Sequence, residues 1–375
     1  MHNKRDWSVE LMRIMACLIV IGCHTIPGPI SVGVGGGKEY LPSRVFLKCF
    51  WDDGVAVFWI ITGFFLFYNF DYKQRLKKLF KHIFIPYTIY TIFIFYLYKV
   101  FVNHVPLFEI FHHSKDEYVQ LFNNIFLLYT PKYAPHLWFL VTYMILIIVS
   151  PLFLGFAKKL TENAAAARNF CILLVALLFI DDFTSGMVLT HHGFRGVWSA
   201  VLLVLYGNIL YQNRQKLMCK WWIVLAPLLF VINQYVRTLI QLDRYAINPN
   251  PLNDRIINWF STIGLLEATL IVVFCFSLKQ QIELKWKRAV MIVGSYTFPV
   301  YVIHFFVIQV LGSKGIITSL KTWIIGQGND GSWSLNIIYS LCIITIVFAI
   351  SFSLAIIARE LKSVVSAIVC RKKLK

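Results

Sequence analysis

Residues 7–27 read WSVELMRIMACLIVIGCHTIP, a stretch that is apolar apart from a few small polar residues and the ionisable Glu10, Arg13 and His24. About 20 such residues in a helix cross the hydrocarbon core of a bilayer. The run is too long for a cleavable signal peptide, and no small-residue cleavage site follows it. Working outward, nine further stretches have the same character: 52–70, 83–102, 136–157, 169–187, 197–212, 221–236, 256–278, 289–312 and 335–358. The fifth and sixth of the ten are the weakest, and Asp181 and Asp182 shorten the fifth. A stretch around 118–130 is apolar but short and reads as re-entrant or interfacial. Composition agrees with this reading. Apolar residues make up 58% of the chain and charged ones 14%, against about 45–50% and about 25% in soluble domains. A water-soluble enzyme and a disordered chain are both excluded. The expected fold is all-α: a polytopic membrane helix bundle of about ten spans, forming one integral-membrane domain over 1–375 with no appended soluble domain.

Charge placement gives the orientation. Lys and Arg total 36 against 18 Asp and Glu, for a net charge of +18. With the N-terminus inside, 24 of the 36 cations fall in the N-terminal segment and in 73–81, 158–168, 214–220, 279–288 and 359–375. These are short, basic segments of the kind that stay cytoplasmic, so both termini are expected inside. The basic excess is thereby explained as topology, and nucleic acid is not an expected partner; membrane lipids are. The eight Cys form no CxxC pair, so neither a disulfide framework nor a metal centre is expected. The glycine-rich run at 33–37, GVGGG, lies outside any strand–helix nucleotide-binding pattern.

Ionisable groups within spans cost a few kcal/mol each at the bilayer centre on insertion scales, which makes them informative. Glu10 and Arg13 stand at i,i+3, as an ion pair would. His24, Tyr301 with His304, and His136 with Trp138 are all expected at one depth near the extracytoplasmic surface. That alignment suits a general base or a proton-coupled site. Asp52 and Asp53 precede the second span, where they would cap a helix or meet a substrate. Glu267 sits mid-span and needs a partner such as Arg13 or a His. The run Lys73-Gln74-Arg75-Leu76-Lys77-Lys78 is either a topology anchor or a phosphate dock.

Five segments together resemble the acyltransferase-3 family of integral-membrane O-acyltransferases. They are Arg5–His24 (RDWSVELMRIMACLIVIGCH), Val57–Leu66 (VFWIITGFFL), Tyr72–Tyr87 (YKQRLKKLFKHIFIPY), His136–Leu152 (HLWFLVTYMILIIVSPL) and Ser295–Phe305 (SYTFPVYVIHF). The resemblance implies transfer of an acyl group, usually acetyl from cytosolic acetyl-CoA, to a hydroxyl of an extracytoplasmic carbohydrate or lipid-linked glycan. It places the protein in the cell inner (plasma) membrane. It maps the family's catalytic base onto His24 and a family arginine onto Arg75. Gly28 stands where many members have an acidic residue, and Lys78 where they have a second arginine. On this basis His24, Tyr301 and His304 are the expected catalytic residues. Arg13, Arg75, Lys77 and Lys78 are expected to hold acyl-CoA, and His136, Trp138, Asp52 and Asp53 to meet the acceptor. Tyr301 or Trp138 would donate to the oxyanion. No metal is expected, and a homo-oligomer is compatible with the sequence. The rival reading is a transporter of small, amino-acid-like molecules, since the same fold type forms the membrane half of vancomycin-resistance serine racemases. A further reading is a polysaccharide-export or modification partner without activity.

Overall fold

The computed structural model describes residues 5–28, 31–34, 37–111, 113–131, 133–183, 196–247, 260–279 and 283–373. Helix α1 (Trp7–Cys23) starts at Asp6, whose side chain accepts from the Ser8 backbone N–H at 3.1 Å, and stops one residue short of His24. A hairpin follows, β1 (Ser31–Val34) antiparallel to β2 (Gly37–Tyr40) with Ser31 opposite Tyr40. It takes up the described part of the glycine run; residues 35 and 36 lie outside the described residues. Helices α2 (Pro42–Phe50) and α3 (Gly54–Leu66) form one apolar stretch of 25 residues. The second span therefore begins at 42, ten residues before its expected start. The basic run is helical: α4 (Tyr72–Leu79) passes through a π-turn at Phe80–Phe84 into α5 (Ile85–Phe101). Helix α6 (Lys115–Phe126) carries a Ser114/Glu117 capping box.

Helices α7 (Trp138–Val149) and α8 (Pro151–Glu162) bend by 81° at Pro151, where proline removes a backbone donor. Then come α9 (Ala164–Phe183), α10 (Val197–Gln212), the single turn α11 (Arg214–Leu217) and α12 (Trp222–Ile247). After α13 (Thr262–Leu278), α14 (Leu284–Gly294) and α15 (Thr297–Ser313) bend by 57° at a Gly-Ser step. A short α16 (Ile316–Ile324) and the long α17 (Trp333–Lys373) complete the described chain.

Each of the ten expected stretches is mainly helical among the described residues; 184–187 and 256–259 lie outside them. Among the described residues, five helices are long and apolar enough to cross a membrane, or up to seven if each bent pair is one span. Helices α1, α10 and α13, at 17, 16 and 17 residues, are shorter than that test requires. The fifth stretch is stronger than its Asp pair suggested, because α9 begins at Ala164 and reaches 20 residues. Its Asp182 accepts the Thr262 backbone N–H at 2.9 Å at the start of α13. The chain is a multi-pass membrane protein.

Helix α1 is the hub, packing on α3, α13, α14, α15 and α17. Its N-terminus is tied to the end of α13 by a 2.7 Å ion pair between Asp6 and Lys279. Helix α3 crosses α10 at backbone contact. A Cβ added at Gly63 would stand 2.0 Å from the Val204 carbonyl oxygen, and one at Gly207 2.1 Å from that of Ile60. Small residues permit this approach in membrane helices, where packing rather than water drives association. Gly63→Ala and Gly207→Ala are each expected to destabilise the protein by about 1–3 kcal/mol or more, read as a lower melting temperature in detergent; unchanged melting would mean that the helices stand further apart.

Candidate active site

Three imidazoles meet inside the bundle. His24 caps α1, His304 lies midway along α15, and His136 sits in the 3₁₀ turn Pro135–Leu137 ahead of α7. The His24 and His304 ring centroids are 5.6 Å apart, and those of His136 and His304 4.9 Å. Phe305 closes the group, 5.2 Å edge-on from His24 and 5.1 Å from His136 in a stacked arrangement. Nine residues of α15 continue beyond His304, ~13 Å at 1.5 Å per residue. The cluster is packed within the bundle. His136 and His304 are buried, while His24 is half-exposed.

Hydrogen bonds fix two of the three tautomers. His304 Nδ1 is 2.6 Å from the Tyr301 carbonyl oxygen, so it carries the proton and leaves Nε2 as a lone pair. His136 Nε2 donates to the Val302 carbonyl at 3.1 Å, leaving Nδ1 as a lone pair. Both neutral forms follow from burial, since a buried imidazolium without a carboxylate partner is expensive. The His24 ring makes no hydrogen bond with a described residue. Tyr301 gives its hydroxyl proton to the His136 backbone carbonyl, so it positions His136 instead of facing an oxyanion. Trp138 is half-buried at the start of α7, its ring edge-on to Phe139 at 6.4 Å.

The cations stand on two helices, Arg13 on α1 and Arg75, Lys77 and Lys78 on α4. Arg13 lies eleven residues before His24, ~16 Å along the helix. It pairs with Glu10 at 2.7 Å, the i,i+3 bridge expected from sequence. Arg75 donates to the Phe65 and Tyr68 carbonyls at 3.0 and 2.9 Å, capping the end of α3, and stacks over Phe70 at 5.2 Å. Tyr143 on α7 lies within electrostatic reach of both Arg75 and Arg13. Lys77 and Lys78 are exposed on α4. Part of each guanidinium, Arg13's and Arg75's, is thus already engaged.

Asp53 stands at the N-cap position of α3, directly ahead of the helix as the sequence reading has it. Asp53 makes no side-chain capping bond. It is buried with Glu267 around Arg237. Arg237 Nη1 is 2.6 Å from Glu267 and 3.1 Å from Asp53, and its Nη2 is 3.8 Å from Asp52. Asn233 adds a 2.6 Å bond to Glu267, and Gln234 a 3.5 Å one to Asp53. The partner of Glu267 is therefore neither Arg13 nor a His. This network holds α2, α3, α12 and α13 together. A signal for it was present: Asn233, Gln234, Arg237, Thr238 and Gln241 recur at helical spacing in an otherwise apolar helix. Such a polar stripe marks the face turned inward. Val224, Leu228, Val231 and Ile232 on the other faces are exposed.

Among the described residues no group of three or more His, Cys, Asp and Glu side chains is arranged to hold a metal ion. The family model described as "Acyltransferase domain" matches residues 6–356, nearly the whole chain and every helix named above. The chain belongs to the acyltransferase-3 family. The comparison with curated proteins returned no match, and neither did that with solved structures. The match makes the protein a membrane acyltransferase in general terms, and it gives the transporter reading no support. Within this acyltransferase, sequence reasoning missed Arg237, Tyr143 and Phe305. Phe305 follows His304 directly, and only the fold shows that it packs on two imidazoles.

Proposed function

We propose that the protein is an O-acyltransferase of the inner membrane that moves an acetyl group from cytosolic acetyl-CoA to a hydroxyl of an extracytoplasmic glycan or lipid-linked glycan. Family membership supports acyl transfer. The observation that carries the mechanism is His24: a half-exposed imidazole with no hydrogen bond to a described residue, beside two buried, neutral ones. A general base needs this freedom, because its lone pair must reach a substrate proton. Arg13 on α1 and Arg75, Lys77 and Lys78 on α4 supply positive charge for the phosphates of CoA. The ~16 Å between Arg13 and His24 is a span that an extended pantetheine arm covers.

In the reaction, the His24 lone pair takes the acceptor hydroxyl proton as its oxygen attacks the thioester carbonyl carbon. The C–S bond then breaks, and the CoA thiolate leaves with the proton held by the imidazolium. The same lone pair would serve a two-step path through an acyl-His24. Purified protein given labelled acetyl-CoA and a glycan acceptor tests this. Transfer of label with CoA release supports the enzyme, whereas substrate flux in liposomes without any need for CoA supports a transporter.

The donor end has its own expected result. Replacing Arg75 and Lys78 by Gln lowers acetyl-CoA affinity by about tenfold or more for each lost charge-assisted contact. The remaining binding becomes less sensitive to salt. Equal affinity in the double variant would make α4 a topology anchor and nothing more.

A further inference from the structure

The three imidazoles form an acceptor-rich, donor-poor site. His136 Nδ1 and His304 Nε2 are both buried and have no hydrogen-bond partner. His136 is 3% exposed and His304 0%. Their other ring nitrogens are committed as donors to the Val302 and Tyr301 carbonyls. The Tyr301 hydroxyl proton is committed too, to the His136 carbonyl. A neutral His24 brings one N–H and one lone pair. The cluster therefore offers three lone pairs and one uncommitted N–H. Even with that N–H turned onto a neighbouring ring, two lone pairs face the site without a donor. Leaving a buried acceptor unsatisfied is costly, so the cluster favours a ligand that brings hydrogen-bond donors.

We propose that this cluster recognises a vicinal diol: one hydroxyl gives its proton to His24 and reacts, while its neighbour donates to His136 or His304. The inference rests on the acyl-transfer reading for the reacting hydroxyl, but the diol preference follows from the lone pairs alone. His136 and His304 are then the specificity-determining residues. With rings 4.9 Å apart, they stand close enough to serve adjacent hydroxyls. A site of this kind rejects analogues lacking one donor far more strongly than a hydrophobic pocket rejects a missing methylene. The stacked Phe305 ring supplies an apolar wall against which a carbohydrate face can lie.

The test is binding without donor, followed by turnover. Melting of the purified full-length protein in detergent is measured with cis-1,2-cyclohexanediol and with cyclohexanol at equal concentration. The diol is expected to raise the melting temperature and the mono-alcohol to leave it unchanged, with the diol effect lost when His136→Ala and His304→Ala are combined. Equal shifts from both probes in the native protein, or a diol effect that survives the double variant, would overturn the proposal. No shift from either probe would overturn it too. The native protein alone decides between the two probes, so a poorly folded variant does not remove the test. Acetyl-CoA turnover with the same alcohols is then read separately. The expected kcat/KM is at least ~100-fold higher for the diol. Diol-selective binding without CoA release from any alcohol would leave the diol site standing and sink the acyl-transfer reading.

Discussion

Replacing His24 by Ala lowers acyl transfer by about 10²–10⁴-fold, the contribution of a positioned general base, with acetyl-CoA affinity nearly unchanged. The structure gives two reasons to expect a loss of rate without a loss of fold. The ring is half-exposed at the end of α1 and makes no hydrogen bond with a described residue, so its removal leaves no described polar group without a partner. Arg13 is ~16 Å away along the same helix, and the other donor cations stand on α4, which carries none of the three imidazoles. His304→Ala is the control. It removes a lone pair and a bond to the Tyr301 carbonyl but leaves His24, so it is expected to act mainly on acceptor KM. Retained activity in His24→Ala with none in His304→Ala would reverse the two roles.

The largest stability effect is expected at Arg237. Arg237→Gln leaves the buried carboxylates of Asp53 and Glu267 without their cation. Breaking a buried pair from one side costs about 3–5 kcal/mol, comparable to the whole stability margin of many proteins. The variant should therefore yield little folded material and melt well below the native protein. Removing all three charges together, as Arg237→Met with Asp53→Asn and Glu267→Gln, should recover much of the loss, because the expense lies in unpaired buried charge. A single variant that melts with the native protein would show that the network bears no stability.

The helical, membrane-spanning character of the chain was legible because long apolar stretches leave few alternatives. Span ends were less so. Asp52 and Asp53 look like the outer end of a span only if the span begins there; α2 extends it back to Pro42, and the pair falls at an internal break. The expected span 221–236 stops one residue short of Arg237 because a charge interrupts the apolar run, yet α12 runs on to Ile247 around it. The meeting of His24, His136 and His304 was expected from their matching depth, a one-dimensional argument. Which of the three is committed, and through which nitrogen, depends on backbone carbonyls of α15 that sequence does not locate. The same holds for Arg75, named as a phosphate ligand but seen also to cap α3.

The central claim is that His24 transfers an acyl group from CoA to a hydroxyl. Its most direct measurement is a single-turnover assay with purified protein in proteoliposomes, labelled acetyl-CoA and a diol-bearing glycoside, run on the native protein and on His24→Ala. The native protein is expected to release one CoA for each acetyl ester formed, and His24→Ala to bind acetyl-CoA but form product at least ~100-fold more slowly. Ester formation at the native rate in His24→Ala, or no CoA-dependent ester from the native protein, would contradict it.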